Sequence, residues 1–468
     1  MKIFVLVLQK NNAQYNATLH VNDATNSPLA SHSFVVNVED VVKRFQETPA
    51  SNDLLALGQE LYNLVAPALT DFLEARERGE SARLLLDIRD DALKLLPWEL
   101  MSIHNLALFR DPAFPISRAR AFEGTLPSGS PKHDWPLRML IVVASQKNDP
   151  DVAAEEEVAQ IVDAIVPHEA AIDWKLLKRP KRKQLLRTFE QFKPHIFHFI
   201  GHGGISHGEP ELKLFDPVQN KNDSWNVITL RNDLTGKANS LHLAFVNACR
   251  TAEAARDGLW TVTDAFLDAG ATAVIGTRAV ITGSAAARCA GTFYTELFKH
   301  LAIDRAMAQA RTQVSDVKER DWAALSLELR LPPPKLFSSC KTLHAEPGEI
   351  KRLFWKVCKY VGRQNMYYKA WQTQLADKRR LPVIRGADQA GKTAMAEMLL
   401  ERCLLADHVV RYVNMRQRGS DYVDLMRATL KGDDPHPLLS LPHTQPFPDT
   451  VLEAFEQQLP QILGEKLD

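Results

Sequence analysis

The chain has 468 residues, with 45% hydrophobic and 24% charged side chains, an ordinary composition for a globular protein of two or three domains. Lysine plus arginine and aspartate plus glutamate number 57 each, so no net field favours a nucleic acid or a membrane surface. The five cysteines show no CxxC spacing, which argues against a disulfide framework. No segment approaches the ~18 apolar residues of a membrane span. We therefore expect a cytoplasmic protein, without a membrane or nucleic-acid partner.

Short apolar runs alternate with amphipathic segments, a pattern typical of an α/β domain with a largely parallel sheet. The predicted strands are Ile3–Leu8, Ala82–Ile88, Arg138–Ala144, Ile196–Ile200, Leu243–Asn247 and Ala273–Gly276. The predicted helices are Leu54–Leu73, Ala285–Leu301 and a segment with Val158, Ile161, Val162 and Ile165 on one face. The basic segment Lys175–Arg187 is predicted to be a solvated helix or loop. Turn-rich residues 124–136 and proline-rich residues 331–339 are predicted to be a loop and a domain boundary.

Two histidines mark the end of a predicted strand in the segment PHIFHFIGHGG, residues 194–204. His198 lies inside the strand, whereas His202 follows it, at the edge where open α/β sheets form their ligand sites. Gly201, Gly203 and Gly204 lack side chains, so the backbone is free to turn sharply and to approach a substrate closely.

A second strand end carries a cysteine, because LHLAFVNACRT places Cys249 directly after the predicted strand Leu243–Asn247. An imidazole near a thiol lowers the thiol pKa and produces a nucleophilic thiolate. His202 and Cys249 are 47 residues apart, close to the caspase separation of about 50 residues. The pair therefore indicates a nucleophile and its base.

Two other interpretations of the histidines are weaker. A metal site is disfavoured because His195 and His198 project to opposite strand faces and no nearby carboxylate or cysteine completes a ligand set. A pair of core histidines with an inert buried cysteine explains either segment alone. It explains poorly why both segments occur at matched strand ends.

With these two segments in view, the chain resembles the CHAT domain, a bacterial caspase-like branch of the caspase and separase clan. The motifs that carry the resemblance follow the family's order: LLPWEL (95–100), PLRMLIVVAS (136–145), HIFHFIGHGG (195–204), LAFVNACRT (243–251), AFLDAGATAVIGT (265–277) and DWAALSL (321–327). The resemblance implies a caspase-like, largely parallel sheet flanked by helices.

The same resemblance implies that His202 is the general base and Cys249 the nucleophile, with the backbone N–H groups of Gly203 and Cys249 forming the oxyanion hole. His198 is expected to be structural, and Trp98 of the PWE motif a buried packing residue. Asn247 departs from the small residue that the family usually has there, which bears on the shape of the substrate cleft. A cysteine peptidase of this kind needs no cofactor or metal, and its substrate is a protein.

Residues 386–393 read GADQAGKT, which fits a Walker A phosphate-binding loop after the apolar LPVI and before a helix. In such a loop, Gly386 and Gly391 would allow the backbone to cradle the phosphates, Lys392 would reach the β- and γ-phosphates and Thr393 would hold Mg²⁺. The upstream VGR segment resembles the entry to STAND-type signalling ATPases. No apolar run ending in Asp-Asp or Asp-Glu follows Thr393, so no Walker B acid is assigned. ATP and Mg²⁺ are expected for a complete NTPase domain and weak or absent in this chain.

The sequence therefore predicts a CHAT peptidase domain in residues 1–340, a linker and helical entry segment in 341–380, and a partial P-loop NTPase α/β domain in 381–468. The leading hypothesis is a caspase-like cysteine endopeptidase regulated by a nucleotide-binding sensor in defence or stress signalling, with oligomerisation through the full NTPase and sensor region. The alternative is a non-catalytic signalling scaffold with a nucleotide-binding switch.

Overall fold

The protein is represented by a computed structural model. The structure describes residues 2–22, 27–47, 52–120, 137–147, 149–166, 168, 172–206, 209–216, 218–219, 221–248, 261–300, 302–314 and 320–330. The chain divides into two compact units, Met1–Cys340 and Lys341–Asp468, and every described residue belongs to the first. The predicted linker, the Walker A loop and the proline-rich boundary all lie outside the described residues.

The strands and helices follow one another along the described residues of the first unit. The strands are β1 (Lys2–Asn11), β2 (Gln14–Val21), β3 (Ala30–Phe34), β4 (Ala82–Ile88), β5 (Ser102–Ile103), β6 (Leu106–Ala107), β7 (Ile116–Ala119), β8 (Leu137–Val143), β9 (Ile172–Lys178), β10 (Ile196–Ile200), β11 (His202–Ser206), β12 (Glu209–Asp216), β13 (Lys221–Asn226), β14 (Leu243–Asn247), β15 (Ala273–Thr277) and β16 (Leu325–Leu329). The α-helices are α1 (Val38–Glu47), α2 (Asn52–Val65), α3 (Thr70–Glu77), α4 (Asp91–Leu95), α5 (Ala154–Ile165), α6 (Arg182–Phe192), α7 (Val227–Leu234), α8 (Val262–Asp268), α9 (Gly283–His300), α10 (Ile303–Val314) and α11 (Asp321–Ala324).

One large sheet organises the domain, with eleven strands in the order β3-β2-β1-β4-β7-β16-β15-β14-β10-β8-β9. Strands β15, β14, β10, β8 and β9 are mutually parallel and form one block. Strands β1, β4, β7 and β16 form a second parallel block. The two blocks run in opposite directions because β15 pairs antiparallel with β16. The predicted α/β domain with a largely parallel sheet is confirmed.

All six predicted strands are present as β1, β4, β8, β10, β14 and β15. Strands β10 and β14 are buried along their full length, as expected for parallel strands covered on both faces. The rings of Phe197 on β10 and Phe266 on α8 are 5.4 Å apart. The next residue, His198, contacts Tyr294 on α9. Helices therefore cover both faces of the sheet, with α8 on one and α9 on the other.

Two helix predictions need correction. The segment Leu54–Leu73 is not one helix, because α2 ends at Val65 and a 3₁₀ turn over Ala66–Ala68 separates it from α3. Pro67 lies in that turn and has no N–H to continue an α-helix.

Helix α5 also buries a different set of residues from the predicted apolar face. Its buried residues are Ala154, Glu157, Ile161, Ala164 and Ile165, so an acidic side chain takes a core position.

The basic segment is also structured differently from the prediction. Residues 175–178 belong to β9, an edge strand of the large sheet, and α6 begins at Arg182. Leu185 faces the core from α6. Lysines such as Lys178 on an edge strand discourage pairing with another chain.

None of the helices in the described part of the chain is long and apolar enough to cross a bilayer.

Candidate active site

Three neighbouring strands end in register at the same edge of the sheet. Val143 of β8 and Asn247 of β14 both lie opposite Ile200 of β10. Beyond these ends, the Ala144 N–H donates to the Ile200 carbonyl at 2.8 Å, and the Gly201 N–H donates to the Asn247 carbonyl at 3.2 Å. The loops that follow β8, β10 and β14 therefore leave the sheet side by side.

His202 lies at this edge, as the sequence predicts, and its partner is an acid. Its Nε2 atom is 2.8 Å from Oδ2 of Asp149, which lies in the loop between β8 and α5. The Asp149 side chain is only 5% exposed, whereas the His202 side chain is 29% exposed. The acid is thus held beneath an imidazole that solvent still reaches, and it fixes the ring's orientation.

The glycines around His202 keep ordinary backbone angles. The chain bends at Gly201 and continues as the extended strand β11, and none of Gly201, Gly203 and Gly204 has a positive φ. Gly201 is needed for space, since a β-carbon there would lie 3.1 Å from the Ala144 β-carbon. Gly203 pairs with Leu212 in a small antiparallel sheet of β11, β12 and β13. The expected sharp glycine turn is therefore a single bend followed by a strand.

Cys249 lies outside the described residues, but the chain leading to it is positioned by three hydrogen bonds. The Asn247 carbonyl accepts from Gly201, and the Asn247 side-chain amide donates to Glu157 at 2.6 Å. The Ala248 carbonyl accepts from the hydroxyl of Thr277, at the end of β15. His202 follows Ile200 by two residues and Cys249 follows the paired Asn247 by two residues.

A buried polar network links strands β10 and β14 to helices α5 and α9. His198 is completely buried, with Nδ1 2.9 Å from the Tyr294 hydroxyl and Nε2 2.9 Å from Glu157. The other carboxylate oxygen of Glu157 accepts from Asn247. Burial raises the pKa of Tyr294 well above its ordinary value. The structural role expected for His198 thus has a physical basis, and Asn247 turns its side chain into the core rather than into a cleft.

The remaining histidine of the motif lies at the other end of the strand. His195 is buried, its Nδ1 accepts from the Arg138 N–H at 3.1 Å, and its ring stacks on His242. His195 and His202 therefore flank opposite ends of β10. Among the residues that the structure describes, no three His, Cys, Asp or Glu side chains cluster in a way that could hold a metal ion.

A second buried acid lies at the junction of the two blocks of the sheet. Glu99, in the PWE motif, accepts hydrogen bonds from Nε and Nη2 of Arg118, at 2.8 and 2.6 Å. Although burial alone raises the pKa of Glu99, Arg118 together with Arg278 and Arg311 outweighs it and lowers the pKa to about 2. Trp98 is buried as predicted and donates its indole N–H to Leu93.

The described cysteine is poorly suited to nucleophilic chemistry. Cys289 lies in α9 with no exposed surface, and burial raises the pKa of its thiol to about 12. A reactive cysteine needs an accessible thiolate. Cys289 is therefore a packing residue.

A sheet with His202 at the carboxyl edge of a parallel block, next to the strand that precedes Cys249 in the sequence, is typical of α/β proteins with a ligand site at this edge. The chain belongs to the CHAT-domain family, because the family model of the CHAT domain matches residues 55–359, well over half of its length. No curated protein has a sequence that matches the chain.

Solved structures that align with the chain include the separase–securin complex of Saccharomyces cerevisiae, with a TM-score of 0.40 and 10% identity over 70% of this chain. The chain spans about 30% of the separase chain that it matches. Gingipain R, an Arg-specific cysteine proteinase, aligns with a TM-score of 0.39 and 13% identity over 58% of this chain and 70% of its own.

Sequence reasoning missed Asp149, Glu157 and Thr277. Each acts on residues that are far away in sequence, such as His202, 53 positions after Asp149. The available signal for Asp149 was a carboxylate in the loop after the first central strand. For Glu157, the available signal was an acidic residue less than one helical turn away from Val158 on the predicted apolar face of α5.

Proposed function

We propose that this chain is a caspase-like cysteine endopeptidase with Cys249 as nucleophile and His202 as general base. The observation that carries the proposal is the carboxyl edge of the sheet. There, a half-buried His202 is hydrogen-bonded to Asp149, one strand away from the strand that leads to Cys249. Membership of the CHAT-domain family supports the same chemistry.

The hydrogen bond between Nε2 and Asp149 supports a mechanism in which Nδ1 of His202 exchanges the proton. With Nε2 engaged, Nδ1 takes the thiol proton from Cys249, and Asp149 stabilises the imidazolium that results. The thiolate attacks the peptide carbonyl, and the N–H groups of Gly203 and Cys249 stabilise the oxyanion. Collapse breaks the C–N bond, and the amine leaves with the proton from His202. Water then hydrolyses the thioester, with His202 as base, and no cofactor is required.

We further propose that the second unit carries a nucleotide-binding sensor that regulates the peptidase in bacterial defence or stress signalling in the cytoplasm. Gly386, Gly391, Lys392 and Thr393 would hold ATP and Mg²⁺ in a complete domain, and oligomerisation would run through that region. The sequence GADQAGKT alone supports this part of the proposal. Lys392→Ala is expected to leave peptide cleavage by this chain nearly unchanged.

The test is cleavage of unfolded casein and of a peptide library, read by mass spectrometry. Cys249→Ala and His202→Ala should each abolish cleavage while circular dichroism stays that of the parent chain. The double variant should be hardly worse than either single variant, because the pair acts as a unit. His32→Ala, on the distant strand β3, is the matched histidine control and should cleave normally. Near-normal cleavage by either site variant would remove that residue from the mechanism.

Labelling separates the peptidase from a scaffold. In a peptidase, Cys249 should react with iodoacetamide far faster than the other four cysteines, and His202→Ala should slow this reaction. A folded chain that cleaves nothing, and whose Cys249 reacts like an ordinary thiol, would favour the non-catalytic scaffold.

A further inference from the structure

A cavity of about 190 Å³ opens beside the candidate active site, between the ends of β8 and β9 and the start of α5. Its lining residues are Val143, Ser145, Gln146, Lys147, Ala154, Glu155, Val158, Lys178 and Arg179. We call it the basic cavity. Among the described residues, its lining includes neither His202 nor the hydrogen-bond partner of His202, Asp149.

The charge of the basic cavity favours an anionic group. Lys147, Lys178 and Arg179 are positive, and Glu155 is the one acid among the lining residues that the structure describes. Within the described part of the chain, no ion pair engages any of these three basic residues. Three unpaired cations against one carboxylate leave an excess of positive charge that a bound anion neutralises.

A buried hydroxyl in the lining also lacks a partner. Ser145 is only 2% exposed, and its Oγ atom finds no hydrogen bond among the described residues. Buried polar groups normally form hydrogen bonds, so the Ser145 hydroxyl is available to bind a polar group that enters the cavity. Arg179 adds a second unusual feature, a left-handed backbone with φ of 49°, which is rare for a residue other than glycine.

The basic cavity lies within reach of a peptide bound at His202. Strands β8 and β10 are adjacent, and neighbouring strands are ~4.8 Å apart, so the cavity starts about one strand away from β10, whose end leads to His202. The loop that begins with Ser145 also carries Asp149, the partner of His202. Since an extended peptide advances ~3.3 Å per residue, a side chain a few residues from the cleaved bond reaches the cavity.

We propose that the basic cavity is a substrate subsite for an acidic side chain of the peptide. Arg179, Lys178 and Lys147 pair with its carboxylate, and the Ser145 hydroxyl donates a hydrogen bond to it. This inference rests on the proposed peptidase function, because it names the substrate class of that site.

The first arm of the test measures cleavage of two matched peptide libraries, one with a single Asp at each position in turn and one with Asn at the same positions. At one position near the cut, the parent chain should prefer Asp by about tenfold in kcat/KM, as expected for a charge-assisted hydrogen bond. Arg179→Gly should bring this ratio close to one. The variant should fold normally, because glycine adopts the left-handed backbone without strain.

Two further variants calibrate this result. Lys178→Ala should reduce the Asp-over-Asn ratio. Lys183→Ala removes an exposed positive charge on α6 outside the basic cavity and should preserve the ratio. Cleavage without a preference for Asp at any position would overturn the proposal. So would a preference that survives Arg179→Gly in a folded chain.

The second arm measures binding without cleavage, using fluorescein-labelled forms of both libraries and the Cys249→Ala chain. Tighter binding of Asp peptides that Arg179→Gly removes supports the basic cavity even if the parent chain cleaves nothing, in which case only the peptidase proposal fails. Equal binding of Asp and Asn peptides overturns the subsite. Binding of inorganic phosphate alone, with no preference between the libraries, would also overturn it.

Discussion

Glu99 and Glu157 are both buried carboxylates of one domain, yet their partners differ. Glu99 accepts two hydrogen bonds from the guanidinium of Arg118. Arg278 and Arg311 are close enough to lower the pKa of Glu99 further. Glu157 instead accepts from an imidazole and an amide, those of His198 and Asn247.

The difference shows two uses of a buried acid. At the junction of the two blocks of the sheet, the guanidinium of Arg118 neutralises the negative charge of Glu99. Removing Glu99 therefore leaves buried arginine side chains without a compensating charge. The donors to Glu157 fix the strand end that leads to Cys249 and the strand that leads to His202. We therefore expect Glu99 to affect stability most, and Glu157 to affect the site most.

The largest expected effect is that of Glu99→Gln. Removing one partner of a buried ion pair costs about 3–5 kcal/mol, so the free energy of unfolding should fall by that amount in urea denaturation at pH 7. Glu74→Gln is the control, because Glu74 pairs with Arg78 on the surface and should cost no more than about 1 kcal/mol. Equal losses in the two variants would contradict the role given to Glu99.

Acid should reproduce part of this loss in the unchanged chain. The pKa of Glu99 is lowered from 4.5 to about 2, so its contribution is complete above pH 4.5 and disappears as the pH falls towards 2. The difference corresponds to about 3 kcal/mol. Urea denaturation at pH 7 and pH 2.5 should show this loss in the parent chain and a smaller one in Glu99→Gln. Parallel pH profiles of the two chains would refute the assignment.

Glu157→Gln should cost less stability and more activity. The glutamine oxygen can accept from His198 or Asn247 but not from both, and its amide then faces the other donor. An unsatisfied buried donor costs about 1–3 kcal/mol. We expect kcat to fall and the alkylation rate of Cys249 to drop in the folded chain, whereas folded Glu99→Gln keeps both. Unchanged kcat in Glu157→Gln would remove it as a positioning residue.

The smallest effect is expected at Cys289. Burial is the main cause of the raised pKa of its thiol, and two groups from the two compared regions act on it as well: Arg311 lowers this pKa and Glu157 raises it. With a pKa of about 12, its thiolate fraction at pH 8 is about 10⁻⁴. Iodoacetamide should leave Cys289 unmodified in the folded chain and modify it in urea, as read by peptide mass spectrometry. Modification in the folded chain at the rate seen in urea would show that the thiol is not buried.

The sequence predicted the buried strands, which are visible as apolar runs, and the site residue that follows the end of such a run. Buried strands such as Ile196–Ile200 stand out as apolar runs, and His202 stands out because it follows one directly. The polar strands β2 and β3, at one end of the large sheet, were missed, since residues such as Asn16 and Ser33 give Gln14–Val21 and Ala30–Phe34 no apolar run.

The supporting acids were harder to predict, because their roles depend on long-range contacts. Glu157 bonds to Asn247, 90 positions away, so helical periodicity, which singles out Val158 and Ile161, gives no sign of its role. The role of Asp149 likewise becomes visible only when the loops after β8 and β10 are side by side.

The pairing of β7 with β16 also sets an order of events during synthesis on the ribosome. Arg118 of β7 lies opposite Glu328 of β16, so 210 residues separate two neighbours in the sheet. At about 5–20 residues per second, β7 lacks its second neighbour for roughly 10–40 s after it is made. During that interval, the growing chain presents an open strand edge that nascent-chain chaperones can bind. The two blocks of the sheet become one body only when Leu325–Leu329 has been added.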